Sequence, residues 1–212
     1  MRINESLNLV LPIRSEEYEV EEGGKAVTKE RILLYAYHTP ISKEVFEANF
    51  RILADVKTEI FGDGVKRAFM CGPMIATLAL KDAGERDAQA RGEAGDSGVS
   101  ALRMEIKRLT LVMAPNATGW GMIPIDAAIA NGIIDDEDWL EVEGSIFFFT
   151  ALYSMTKRSS RAAIARTLAG PLQGVMTSSS PTEFAGSLQL STPTETSATS
   201  PQTRKIMPSV PY

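Results

Sequence analysis

One cysteine and one histidine occur in the 212 residues of this chain. The single cysteine, Cys71, excludes an internal disulfide and a cysteine-based zinc cluster, and it fits a reducing compartment. His38 has no second imidazole to share a transition-metal site with. Its position in a strand-to-helix turn predicts a structural role. Positive charge is also scarce: 22 Lys and Arg stand against 27 Asp and Glu, a net charge of −5. No basic field therefore favours nucleic acid or an anionic membrane. Long apolar runs are missing too. The most apolar stretch, Ile146 to Met155, is about half of what a bilayer crossing requires. Arg2 is followed by Asn4, Glu5 and Asn8, which does not read as a signal peptide. The expected location is the cytosol.

Catalytic signatures are equally thin. Gly95-Asp96-Ser97-Gly98 has the letters of the nucleophile segment of chymotrypsin-like proteases, with His38 upstream. That chemistry needs a base held on the serine and donors facing the oxyanion. Ser97 instead opens a helix from a glycine-rich loop, where Asp96 or Ser97 serves as an N-cap. No G-x-S-x-G elbow or phosphate-binding G-x-x-x-x-G-K-[ST] occurs. Gly62-Asp63-Gly64 and Gly119-Trp120-Gly121 lack the third glycine of a dinucleotide fingerprint. The acidic run Asp135, Asp136, Glu137, Asp138, Glu141 and Glu143 lacks the central glycine of a calcium loop and suits a charged helix start. The expectation is a protein without catalytic residues, metal or cofactor.

Local patterning is more informative. Leu7 to Ile13 and Arg31 to Tyr37 are rich in branched and aromatic residues and read as strands of a hairpin. The acidic stretch between them suits an exposed connection or an extended hairpin tip. Ser42 caps a helix from Lys43 to Phe61, on which Phe46, Phe50 and Leu53 form one stripe and Val45, Ile52, Val56 and Ile60 another. Val65 to Ala83 is a second helical region, broken at Gly72-Pro73. The polar stretch from Gly84 to Gly98 is the expected internal loop. Val99, Leu102, Ile106, Leu109 and Met113 form one amphipathic helical stripe, and Ala114 to Pro124 reads as a loop. Pro124 starts a short helix closed by Asn131-Gly132, Asp135 caps a long helix through Tyr153, and a last helix runs from Ser159 to Ala169. The sum is a mainly α (α+β) fold: an N-terminal β-hairpin, about five helices and an extended C-terminal arm.

That division puts a hairpin-plus-helical domain at residues 1–176 and the arm at 177–212. The arm is dominated by Ser, Thr and Pro. Its only sizeable apolar groups are Phe184, Leu188, Leu190, Ile206, Met207, Val210 and Tyr212, too few to offset the cost of ordering it. It reads as a tether, dispensable for folding, with those residues as docking points. Around the hairpin and first helix, Tyr35, Tyr37, Phe46 and Phe50 concentrate aromatic surface. Ordinary core packing accounts for them, and so does an edge offered to other subunits.

The stretch NLVLPI, followed by RILLYAYHTPISKEVFEANFRIL, covers Asn8 to Leu53, about a quarter of the chain. With its hairpin running through a short turn into a long helix, it resembles the tail assembly chaperones of tailed bacteriophages. The resemblance implies a non-enzymatic protein of the host cytoplasm that multimerises along the tape measure protein. It would recruit tail tube subunits and leave before the particle is complete. The alternative expectation is a virion structural protein, a capsid, connector or tail component, whose arm docks on neighbouring subunits.

Overall fold

The computed structural model describes residues 7–62, 74–93 and 97–188. Two long strands open the chain, β1 (Asn8–Glu22) and β2 (Lys25–His38). Helices α1 (Lys43–Ala48), α2 (Phe50–Phe61), α3 (Met74–Arg91) and α4 (Ser97–Arg108) follow. A second hairpin, β3 (Thr110–Asn116) and β4 (Gly119–Pro124), leads into α5 (Ile125–Ala130), α6 (Asp136–Tyr153) and α7 (Arg161–Ala169). A short strand β5 (Val175–Thr177) and helix α8 (Pro181–Ser187) complete the described elements. The strands form one five-stranded antiparallel sheet in the order β4-β3-β2-β1-β5.

The sheet corrects the expectation of a mainly α fold carried by one hairpin and about five helices. Eight α-helices and three further strands are present among the described residues. The stripe from Val99 to Met113 does not run through: α4 stops at Arg108, and Thr110 begins β3. The hydroxyl of Thr110 donates back to the Ile106 carbonyl at 2.7 Å, which occupies that acceptor as the chain turns. The stretch expected to be a loop from Ala114 to Pro124 is mostly paired strand, with Met113 opposite Met122 and Pro115 opposite Trp120. Gly84 to Arg91, expected to be loop, continues α3. Lys43 to Phe61 is two helices joined at Asn49. The C-terminal arm is not extended from its start either: Thr177 ends a strand, and α8 follows from Pro181. The expected break at Gly72-Pro73 lies outside the described residues.

Several local expectations hold. Ser42 caps α1 by accepting from the Val45 amide, and Asp135 caps α6 in a reciprocal capping box with Asp138. Asn131 closes α5, and Gly132 takes the left-handed conformation (φ +65°) that suits glycine after a helix.

Strand alternation sorts the side chains of β1 to β3 onto two faces. One face carries Leu9, Leu11, Leu34, Ala36 and Val112 against the helices. At the centre of that layer lies α6, whose second half is apolar around its whole circumference: Ile146, Phe147, Phe148 and Phe149 are all buried. A helical stretch with no polar side must be surrounded, and α6 meets α2, α3, α4, α7 and β1. The other face, here the outer face, carries Val10, Tyr37 and Met113, with Tyr35 and Trp120 beside them. It is covered by α8 through Phe184 and Ala185. The C-terminal segment thus supplies the sheet's second layer.

Candidate interaction surfaces

Beyond the body of the sheet, β1 and β2 continue as a two-stranded ribbon. β5 pairs only with Asn8 to Val10, and β3 only with Tyr35 to His38. From Arg14 to Glu22 and from Lys25 to Leu34 the two strands pair, among the described residues, with each other alone. No described residue therefore pairs with their outward N–H and C=O groups on either edge. The ribbon leaves the sheet where the register shifts around Ile13 and Leu33, and such irregularities bend and twist a strand pair. Arg14 clamps this bend to the start of α6, reaching Asp138 at 2.5 Å and Asp135 at 3.1 Å. Asp138, as its hydrogen-bond and charge partner, raises the Arg14 pKa further. Asp135 is held below its ordinary pKa, first by the Asp138 amide of the capping box and then by Arg14.

The two faces of the ribbon differ chemically. One carries Glu16, Tyr18, Val20 and Glu22 opposite Arg31, Lys29, Val27 and Lys25. There Arg31 pairs with Glu16, Lys29 pairs with Glu22, and the Arg31 guanidinium lies 6.0 Å from the Tyr18 ring. The reverse face carries Glu17, Glu19 and Glu21 opposite Glu30, Thr28 and Ala26, with no Lys or Arg among them. Glu17 and Glu30 are direct cross-strand partners, a like-charge pair that costs stability. The acidic stretch thus forms an extended hairpin tip with one neutralised face and one bare anionic face.

The expected aromatic residues divide between surfaces. Tyr37 is fully buried on the outer face, and Tyr35 is half-buried there. Phe184 meets both rings, edge-on to Tyr35 at 6.0 Å and tilted to Tyr37 at 5.8 Å, and Trp120 lies 5.6 Å from Tyr35. Sequence reasoning missed Trp120, because β4 with its two glycines reads as a turn. Leu188 follows α8 and is half-buried. Leu190, Ile206, Met207, Val210 and Tyr212 lie outside the described residues. Phe46 and Phe50 form a separate pair at the α1–α2 junction, edge-to-face at 5.8 Å. Phe46 packs against the core, whereas Phe50 is 52% exposed.

Hydrogen bonds fix α8 in place. The Tyr37 hydroxyl donates to the Ser179 carbonyl, and Asn8 Nδ2 donates to the same oxygen at 3.0 Å. Burial, with Glu183 nearby, pushes the Tyr37 hydroxyl up to about 12. Ser180 and Glu183 form a capping box at the start of α8, and these backbone and hydroxyl donors hold the Glu183 carboxyl below its ordinary pKa.

His38 ends β2 and is wholly buried. Its Nδ1 lies 2.9 Å from the Thr110 hydroxyl, whose own proton is committed to Ile106. His38 Nδ1 must therefore be the donor, which leaves Nε2 as an acceptor with no partner among the described residues. Burial pushes its pKa down to about 3. Such an imidazole is neutral and is not presented at the surface. Ser97 is the first residue of α4; Gly95 and Asp96 lie outside the described residues.

An open cleft of about 510 Å³ lies between the Pro40–Lys43 turn, α1 and the end of α6. Its cations already have partners. Lys43 pairs with Glu47 at 3.5 Å, and Arg161 donates to the Thr156 carbonyl and lies 5.4 Å above the Tyr153 ring.

No family model, curated protein or solved structure matches the chain. No described helix is long and apolar enough to cross a membrane.

Proposed function

We propose that this chain is a non-enzymatic assembly protein that works by binding other proteins, and specifically a tail assembly chaperone of a tailed bacteriophage. In that role it multimerises on the tape measure protein and recruits tail tube subunits in the host cytoplasm. The observation that carries the proposal is the β1–β2 ribbon. A two-stranded element with neither edge paired by a described residue and one bare anionic face is stabilised by little of its own and is well suited to pairing with another chain. The exposed Phe50 and the half-buried Phe46 offer a second, apolar contact.

The test is co-expression of the full chain with a tape measure protein and with a tail tube protein of a tailed bacteriophage whose genome encodes it. A ribbon-shortened variant, with residues 16–31 replaced by a two-residue turn, serves as the control. The expected result is a soluble complex with the wild type that the shortened variant forms at least tenfold more weakly. Equal recovery with both variants removes the ribbon from the proposal. Failure of the wild type to bind either protein removes the chaperone role. The same ribbon also suits a virion structural protein that clasps its neighbours. Detection of the chain in purified particles would favour that alternative.

A further inference from the structure

The unit Gly174 to Leu188, which comprises β5 and α8, joins the body through one tight turn. After α7, Gly170–Leu172 forms a single 3-10 turn, and Gln173 takes φ +53°. Gln173 is the only non-glycine residue at positive φ among the described residues, a conformation that costs an L-residue stability. Two hydrogen bonds hold the turn shut, Gln173 N to the Gly170 carbonyl and Gly174 N to the Ala169 carbonyl, both 2.9 Å.

Beyond the turn, the unit lies along a continuous seat. Gly174 presses against β1 so closely that a Cβ there would lie 3.0 Å from both Leu11 Cδ2 and the Val10 carbonyl. Val175–Thr177 pairs with Val10–Asn8, the Ser179 carbonyl accepts from Asn8 and Tyr37, and Phe184 fills the space beside Tyr35 and Tyr37. The seat is made by residues 8–37, β3 and β4, far from the unit in sequence, and by α7 just before the turn.

We infer that the seat also accepts this unit from a second copy of the chain, so that copies join by exchanging Gly174–Leu188 about the Gly170–Gln173 turn. The inference rests on the assembly reading above and names the contact by which copies multimerise. The occupant is defined by the structure, because the seat is already shaped to this sequence. Exchange makes the same contacts between copies that closure makes within one. Opening breaks two turn hydrogen bonds and frees Gln173 from its left-handed conformation. The balance between closed and exchanged forms is then set mainly by chain concentration, the usual basis of segment exchange.

Two full-length variants test it by complementation. Phe184→Asp spoils the unit and leaves the seat intact, whereas Tyr35→Arg spoils the seat and leaves the unit intact. Each alone should be monomeric by native mass spectrometry, and a mixture should give a 1:1 heterocomplex. Two unmixed monomers would overturn the exchange. A third full-length variant lacking Leu172 and Gln173 cannot close on itself. It should form dimers or larger species with wild-type helicity, and a folded monomer or an unfolded chain would overturn the inference. Wild-type multimers that persist unchanged in Phe184→Asp place the interface elsewhere and sink the exchange alone. A heterocomplex from the mixture, with a wild type monomeric both alone and beside its partners, sinks the assembly reading alone.

Discussion

Tyr37 and Ser179, 142 residues apart, are joined by one hydrogen bond: the buried phenol donates to the Ser179 carbonyl. Strand β2 thereby grips the start of the C-terminal helix from beneath. Tyr37→Phe keeps the ring and removes the donor, leaving Asn8 to serve the same oxygen. The expected cost is about 1 kcal/mol in denaturant unfolding. The Tyr37 pKa is raised above its unfolded value, so its contribution is complete below pH 10 and is lost as pH rises from 10 toward about 12. Tyr37→Phe should flatten that part of the stability profile.

Truncation separates the two parts of the C-terminal segment. A chain ending at Leu188 should melt within a few degrees of the full protein. A chain ending at Ser178 loses Phe184, Ala185 and the Ser179 acceptor. Burial of one large apolar side chain is worth about 1.5–3 kcal/mol, so its melting temperature should fall by roughly 5–10 °C. Equal melting of the two truncations would mean that α8 contributes nothing to the outer layer.

His38 gives the fold an acid-side weakness. The folded pKa is depressed to about 3, whereas the unfolded imidazole titrates near 6.5. Because the folded state excludes the charged form, stability is complete above pH 6.5 and declines as pH falls toward 3. Between pH 6.5 and 4.5 most carboxylates stay ionised, so His38, the only histidine, carries most of the loss in this window. About 2–3 kcal/mol should disappear by pH 4.5. His38→Asn, which keeps a donor toward Thr110, should remove that slope in urea titrations at several pH values.

Arg103 and Glu143 link α4 to α6 through two hydrogen bonds, at 3.0 and 2.6 Å. Glu143 is only 2% exposed, whereas Arg103 is 48% exposed. Arg103→Ala leaves a buried carboxylate without its partner and should cost about 2–3 kcal/mol, toward the low end of such cases because Arg103 is half in solvent. The double variant Arg103→Leu/Glu143→Leu removes both charges and should recover most of that loss. If the single and double variants unfold alike, the pair's charge is not the cause.

Glu30→Lys places a base opposite Glu17 on the anionic face of the ribbon. Replacing a like-charge pair with an opposite one should stabilise the chain by about 0.2–1 kcal/mol. The same change should weaken capture of a partner that docks on this anionic face. Gain of stability with unchanged binding would show that the partner does not use this face.

The legible parts of the fold were those with local chemical signals. Strands around Leu9 and Tyr35, the Ser42 cap and the Asp135 cap were all readable from residue type. So was the alternation that sends Leu34 and Ala36 to one face and Tyr35 and Tyr37 to the other. Strand β3 was hidden because Met113 falls four residues after Leu109 and prolongs the helical stripe; a short buried run carries no period that separates strand from helix. Strand β4 was hidden by Gly119 and Gly121. A Cβ at Gly121 would meet only the tip of the exposed Asn116 side chain, 2.8 Å from its Nδ2. Three-residue β5 has no signal of its own and exists through its pairing with β1. Ser180-Pro181-Thr182-Glu183 does spell a helix start, but its surroundings of Ser, Thr and Pro concealed it. The ribbon's glutamates were visible as an exposed stretch; that they share one bare face follows only from the register.

A ribosome makes the outer face long before it makes the cover. Translation proceeds at roughly 5–20 residues per second, and Ser179 follows Tyr37 by 142 residues. After β1 and β2 emerge, Tyr35 and Tyr37 wait on the order of 7–28 s for their own helix, and the seat is whole for the last part of that interval, once β3, β4 and α7 have followed. On a polysome, the neighbouring nascent or just-released chains are copies of the same sequence. During that interval an α8 from an older copy can reach the seat before the younger chain has one to offer.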